Sequence, residues 1–214
     1  MTAPRIKFCG ITRLQDASDA VASGADLLGF VFSRRSSRFI DTAFAAALRA
    51  QLPAEIQVVA LFMDDSTDWI SQVIAAVKPD LLQFHGDESA AECAAYDIAY
   101  IKAVAMASVT DVASYAARYA DADGLVLDAH ASGETGGSGA AFDWSRVSDF
   151  PQPLWLAGGL HAGNVAHAIA QTRPAVVDVS SGIETAPGIK DVNKMRAFVR
   201  AVRGPNHPAS EVIP

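Results

Sequence analysis

Short apolar runs alternate with longer segments of helical spacing along the whole chain. The β-rich runs fall at 6–9, 27–32, 57–63, 81–85, 100–106, 124–128, 154–158 and 176–180. Between and after them lie segments suited to helices, at 14–23, 42–51, 69–77, 89–96, 109–119, 144–148, 164–171 and 192–202. Alanine is dense in the second, fourth and fifth of these, which favours helix on propensity alone. Asp68, Asp87 and Asp111 stand where N-caps or first-turn acids belong, and Thr110 is a further cap candidate.

Strands alternating with helices imply an α/β protein whose parallel sheet is covered by helices. The pattern repeats eight times, at about 27 residues per unit, and eight is the number at which a parallel sheet closes with its interior filled by side chains. An open doubly wound sheet uses five or six strands and would leave two units unexplained. The expected architecture is therefore a single compact (β/α)8 TIM barrel over residues 1–204. Residues 205–214, rich in Pro and polar residues, read as a poorly ordered tail.

Composition narrows the partners. The formal net charge is −7, half the residues are apolar and 19% are charged, an ordinary globular mixture that argues against disorder and against a general nucleic-acid binder. A small anion is still allowed, because backbone N–H groups can hold a phosphate without net positive charge. Two cysteines, Cys9 and Cys93, are too few for a disulfide scaffold and lack zinc-site spacing. No secretory signal or convincing membrane span is visible, so the expected location is the cytoplasm, with no membrane partner.

On a barrel, chemistry sits at the C-terminal ends of the strands and in the loops after them. Lys7 and Cys9 share parity, so with Phe8 against the helices both face the axis, the thiol at the mouth. Cys9 is then either a buried small hydrophobe or a functional thiol helped by a nearby cation. Lys7 is that cation, or a structural charge paired with an interior carboxylate such as Asp178. Asp128 closes an apolar strand, a costly position for an unpaired carboxylate, and is either a loop cap or a catalytic group. The Gly-rich loop over 129–141 is either a plain connection or a lid. Gln83 and His85 share a face. Gly158-Gly159 and Ser181-Gly182 end the last two strands, where barrels often bind phosphate. Arg34, Arg35 and Arg38 form a basic cluster after the second strand, solvated or available to clamp a carboxylate.

The segments KFCGIT (7–12), GADLLGFVF with SSR (24–32 and 36–38), LLQFHGDE (81–88), LVLDA with GGSGAAFDW (125–129 and 136–144), LAGGLHAGNV (156–165) and VDVSSGIETAPGIKD (177–191) together resemble the phosphoribosylanthranilate isomerases of tryptophan biosynthesis. The family more often has Leu where Phe84 stands and Pro where Ser37 stands. The resemblance implies an isomerase that carries out the Amadori rearrangement of N-(5′-phosphoribosyl)anthranilate without cofactor or metal. It implies Cys9 as general base and Asp128 as general acid. By the same resemblance Arg38 meets the anthranilate carboxylate, Gln83 and His85 bind substrate, and Gly158, Gly159, Ser181 and Gly182 hold the phosphate. It favours a monomer over a homodimer. The alternatives are a histidine-pathway sugar isomerase, which resembles a two-aspartate design and is disfavoured by Cys9, and a non-catalytic phosphate-binding barrel, which leaves Cys9 and Asp128 unexplained.

Overall fold

Strands β1 (Arg5–Cys9), β2 (Leu27–Val31), β3 (Gln57–Phe62), β4 (Leu81–Phe84), β5 (Tyr100–Ala105), β6 (Gly124–Asp128), β7 (Leu154–Leu156) and β8 (Val176–Val179) pair in sequence order, all parallel, and β8 closes onto β1. The structure, a computed structural model, describes residues 3–131, 133, 141–147 and 150–204. The 205–214 tail and most of the 129–141 loop lie outside the described residues.

Parity along each strand decides which core a side chain joins. Phe8, Phe30, Phe62, Phe84, Leu127 and Val179 point outward into the layer beneath the helices, where Phe8 meets Phe198 edge-on at 6.1 Å. Leu27, Val59, Leu81, Ile101, Val126, Trp155 and Val176 point inward and fill the barrel, with Cys9, Val31 and Leu61 grouped separately. The jacket consists of α1 (Leu14–Ser23), α2 (Thr42–Arg49), α3 (Thr67–Val77), α4 (Ala90–Cys93), α5 (Val112–Ala117), α6 (Val165–Thr172) and α7 (Val192–Arg203). Among the described residues no helix is long and apolar enough to cross a membrane.

Several boundaries differ from expectation for local reasons. Asp111 does cap α5, accepting from the Ser114 N–H, whereas Asp68 is a first-turn acid behind the cap Ser66. Asp87 caps nothing: Ser89 and Glu92 form a capping box instead, and α4 stops after four residues and tightens into a 3₁₀ turn over Ala94–Tyr96. The sixth helical segment is likewise only a 3₁₀ turn, Trp144–Arg146, pinned by Arg146 donating to the carbonyls of Met106 and Val109. A two-stranded hairpin, β9 (Glu184–Ala186) with β10 (Ile189–Lys190), follows β8 and had no strand-like signal of its own length.

Among the described residues, the barrel interior holds one full charge pair. Lys7, wholly buried, donates to Asp178 Oδ2 at 2.7 Å and to Gln83 Oε1 at 2.8 Å, joining β1, β8 and β4 across the axis. Burial pushes the ammonium down, but Asp178 and then Cys9 outweigh it and hold Lys7 above its ordinary value. Breaking such a pair from one side strands a buried charge, at a cost of about 3–5 kcal/mol. Lys7→Met is therefore expected to lose about that much stability in guanidinium denaturation. Lys7→Met with Asp178→Leu should recover at least half of the loss, and a double variant no more stable than the single would refute the pairing argument.

Candidate active site

The inward-facing residues just above this pair converge at the C-terminal rim. Gln83 is committed on one side: its Oε1 accepts from Lys7, so its amide N faces His85 Nδ1 at 3.3 Å. His85 Nδ1 thus accepts, and the ring proton belongs on Nε2. That edge points at Asp128 Oδ2, 3.7 Å away. A chain of orientation therefore runs from Asp178 through Lys7, Gln83 and His85 to Asp128. The backbone beneath His85 is held from outside the barrel by Lys102, which donates to the carbonyls of Phe84 and Gly86 and sits 3.2 Å from Glu88 Oε2.

His130, two residues beyond Asp128, stacks on His85 with ring centroids 4.2 Å apart and planes 23° from parallel. Its Nδ1 also lies 3.7 Å from Asp128 Oδ2. The three side chains are buried and their potential ligand atoms all lie within 4.8 Å of one another. Nε2 of His85 and Nδ1 of His130 both face Asp128 Oδ2, and Nε2 of His85 carries hydrogen. A ring nitrogen that carries hydrogen has no lone pair to offer a metal, so in this tautomer His85 suits a carboxylate acceptor. Burial drives His85 down to about 3, leaving it neutral. Burial pushes the Asp128 carboxyl up, but His130, His85 and the Ala129 N–H together bring it below the usual carboxylate range.

Cys9 ends β1 on the same rim. Burial pushes its thiol up, with Lys7 and Lys190 pulling it back and Asp178 adding to the rise, so the thiol is protonated at neutral pH. Arg38 lies across the turn after it: a β-carbon on Gly10, which has φ 74°, would collide with the Arg38 stem. Its guanidinium is gripped bidentately by Glu184, Nε to Oε1 at 2.9 Å and Nη2 to Oε2 at 2.8 Å. Arg34 instead lies over Trp69, and Arg35 donates to the Met63 carbonyl and Asp64. Of the basic cluster, Arg38 is the member that reaches the Cys9 turn. Lys190 from β10 donates to Glu184 Oε1 at 2.7 Å and to the Cys9 carbonyl at 2.6 Å, stitching the hairpin to the end of β1.

The glycine turns meet as expected of neighbouring loops. Gly158 and Gly159 both have positive φ, 79° and 62°. A β-carbon on Gly158 would strike Ala129 and come within 3.0 Å of Asp128 Oδ1, so only glycine lets this turn close against the end of β6. Asn164 ties the turn by donating to the Gly159 carbonyl at 2.9 Å. Ser181 and Gly182 begin a 3₁₀ turn, with Gly182 packed on the Leu160 carbonyl.

A family model described as N-(5′-phosphoribosyl)anthranilate (PRA) isomerase matches residues 6–201. The chain belongs to the PRA isomerase family. The PRA isomerase of Pseudomonas putida (strain W619) is 48% identical over 204 residues, covering 95% of this chain and 99% of the relative. That of Nitrosomonas europaea is 46% identical over 200 residues, covering 93% and 95%. Among solved structures, the PRA isomerase of Thermotoga maritima superposes with a TM-score of 0.82 at 37% identity, covering 94% of this chain and 99% of that one. A PRA isomerase in complex with reduced 1-(o-carboxyphenylamino)-1-deoxyribulose 5-phosphate superposes at 0.79 with 35% identity, covering the same shares.

Within this PRA isomerase scaffold the sequence reading missed Glu184, Lys190 and His130. Glu184 and Lys190 sit in the short hairpin, where no periodicity marks them; His130 keeps the parity of Asp128 past the strand's end, a signal that was legible. Burial pushes the Glu184 carboxyl up, but Arg38 and Lys190 hold it below its ordinary value. A carboxylate lowered on folding stabilises above its ordinary range, and the contribution is lost as pH falls through the depressed folded value. Glu184→Gln should thus lower stability near neutral pH and flatten the stability curve below about pH 4.3. Urea denaturation across a pH series checks this; a variant with the parent's slope there would contradict it.

Proposed function

We propose that the protein converts N-(5′-phosphoribosyl)anthranilate to 1-(2-carboxyphenylamino)-1-deoxyribulose 5-phosphate, with Asp128 as general acid and Cys9 as general base. The observation that carries the roles is a carboxyl group and a thiol that face inward from β6 and β1 at one rim, in a barrel whose family is PRA isomerase. The chemistry asks for two proton transfers. Asp128 gives its proton to the ring oxygen as the C1′–O bond breaks, and the anilino nitrogen's lone pair forms the C1′=N bond of a Schiff base. The Cys9 thiolate then takes the C2′ proton; the C2′–H electrons form C1′=C2′ and return a lone pair to nitrogen. The resulting enolamine tautomerises to the ketone.

At rest the two groups hold the opposite protonation, thiol and carboxylate, which is the state the two transfers leave behind. Both forms carry the same number of protons, so the site needs only an internal shift to restart. The substrate supplies a reason for it. Its phosphate is assigned to Gly158, Gly159, Ser181 and Gly182, and Asp128 Oδ1 faces Gly158. A dianion there disfavours an ionised Asp128. The anthranilate carboxylate is assigned to Arg38, whose Nη1 side is left over by the bidentate grip of Glu184. Gln83 and His85 complete the floor and wall beside the sugar. A relative holding a reduced form of the product supports a ligand of this class.

Loss of anthranilate-type fluorescence from freshly made substrate tests the reading. The parent should be active, and Cys9→Ala and Asp128→Asn should each lose about 10²–10⁴-fold in kcat. An inactive parent would sink the function, and full activity in either variant would sink that residue's role.

A further inference from the structure

We propose that His130 is the positioning residue of Asp128: stacked on His85, it holds the carboxyl by Oδ2 and leaves Oδ1 turned to the sugar as the oxygen that carries the transferable proton. The inference rests on the assignment of Asp128 as general acid and adds which oxygen acts and what fixes it.

Three observations meet here. Both Nε2 of His85 and Nδ1 of His130 are buried without a hydrogen-bond partner among the described residues, and a buried polar atom in that position calls for an explanation. Both stand 3.7 Å from the same oxygen, beyond a formed hydrogen bond but within a small closing movement of one. The other oxygen faces Gly158, on the opposite side, where the turn assigned to phosphate begins. The carboxyl is thus polarised by its surroundings into a gripped oxygen and a presented one.

Each part of the grip has its own support. His85 is oriented by Gln83, which is locked by Lys7. His130 has the 4.2 Å stack on His85, so a ring at position 130 is aligned by a neighbour that is itself fixed from the barrel centre. Closure by a few tenths of an ångström would turn both contacts into hydrogen bonds and stop rotation of the carboxyl about its Cβ–Cγ bond. A misplacement of about 1 Å at a reacting group can cost about 10²-fold, so a small grip has a large lever.

The test separates the ring from its nitrogen. His130→Phe keeps a stacking ring and loses Nδ1; His130→Asn loses the ring but can return an amide N–H near the same place. Steady-state kinetics with the fluorescent substrate should show His130→Phe lowered about 10–100-fold in kcat, with KM within about threefold of the parent. His130→Asn should recover kcat to within about fivefold of the parent, a rescue that a purely packing role does not give. Thermal melts show that each variant is folded, and His130→Leu takes the same place if the Phe variant is not. Parent-like kcat in His130→Phe, equal impairment of the Phe and Asn variants, or a change confined to KM would overturn the proposal. A fully active Asp128→Asn or an inactive parent would defeat the acid assignment beneath it and this inference with it. An impaired Asp128→Asn beside an unimpaired His130→Phe defeats this inference alone.

Discussion

A single ammonium group at the centre of the barrel organises what lies above it. Lys7 is shut off from bulk solvent, and its hydrogens are met by Asp178 and Gln83. Meeting them fixes the rotamer of Gln83, the tautomer of His85 and the edge that His85 shows to Asp128. Burying a charge pair of this kind is weak as a source of stability, because desolvation cancels most of the attraction. Its value lies in direction: a hydrocarbon core would pack as well and orient nothing.

The rim is assembled by a second principle, in which the loops after the last strands reach back to the first. The β9–β10 hairpin brings Glu184 to Arg38 and Lys190 to the carbonyl of Cys9. Four buried or half-buried charges, Arg38, Glu184, Lys190 and Lys7, thus surround the thiol turn in an overall acidic protein. Local cations and backbone N–H groups, not net charge, are what a sugar derivative with two anionic groups would meet.

Much of this was legible in the chain. The eight alternating runs announced the closed sheet, because period-two burial and an apolar, alanine-rich helical spacing are local properties. Lys7, Cys9, Gln83, His85 and Asp128 could be singled out because polar residues on the inner parity of an apolar strand stand out. The short connections were less readable. α4 and the turn at Trp144–Arg146 are shaped by caps and by Arg146 reaching distant carbonyls, not by periodicity. Glu184 and Lys190 act through partners 146 and 181 positions away, in Arg38 and the Cys9 carbonyl. No local pattern encodes a pairing of that span. The grip of Glu184 on Arg38 also shows how a residue picked out as a ligand clamp arrives already held.

Closure of β8 against β1 sets an order on the molecule's birth. During synthesis the stave that carries Cys9 emerges before the one that carries Asp178, so Lys7 waits for its counter-ion until the intervening staves have been made. Until then the first stave has an open edge and its ammonium has no counter-charge inside the sheet, so the ion pair and the closed ring form together.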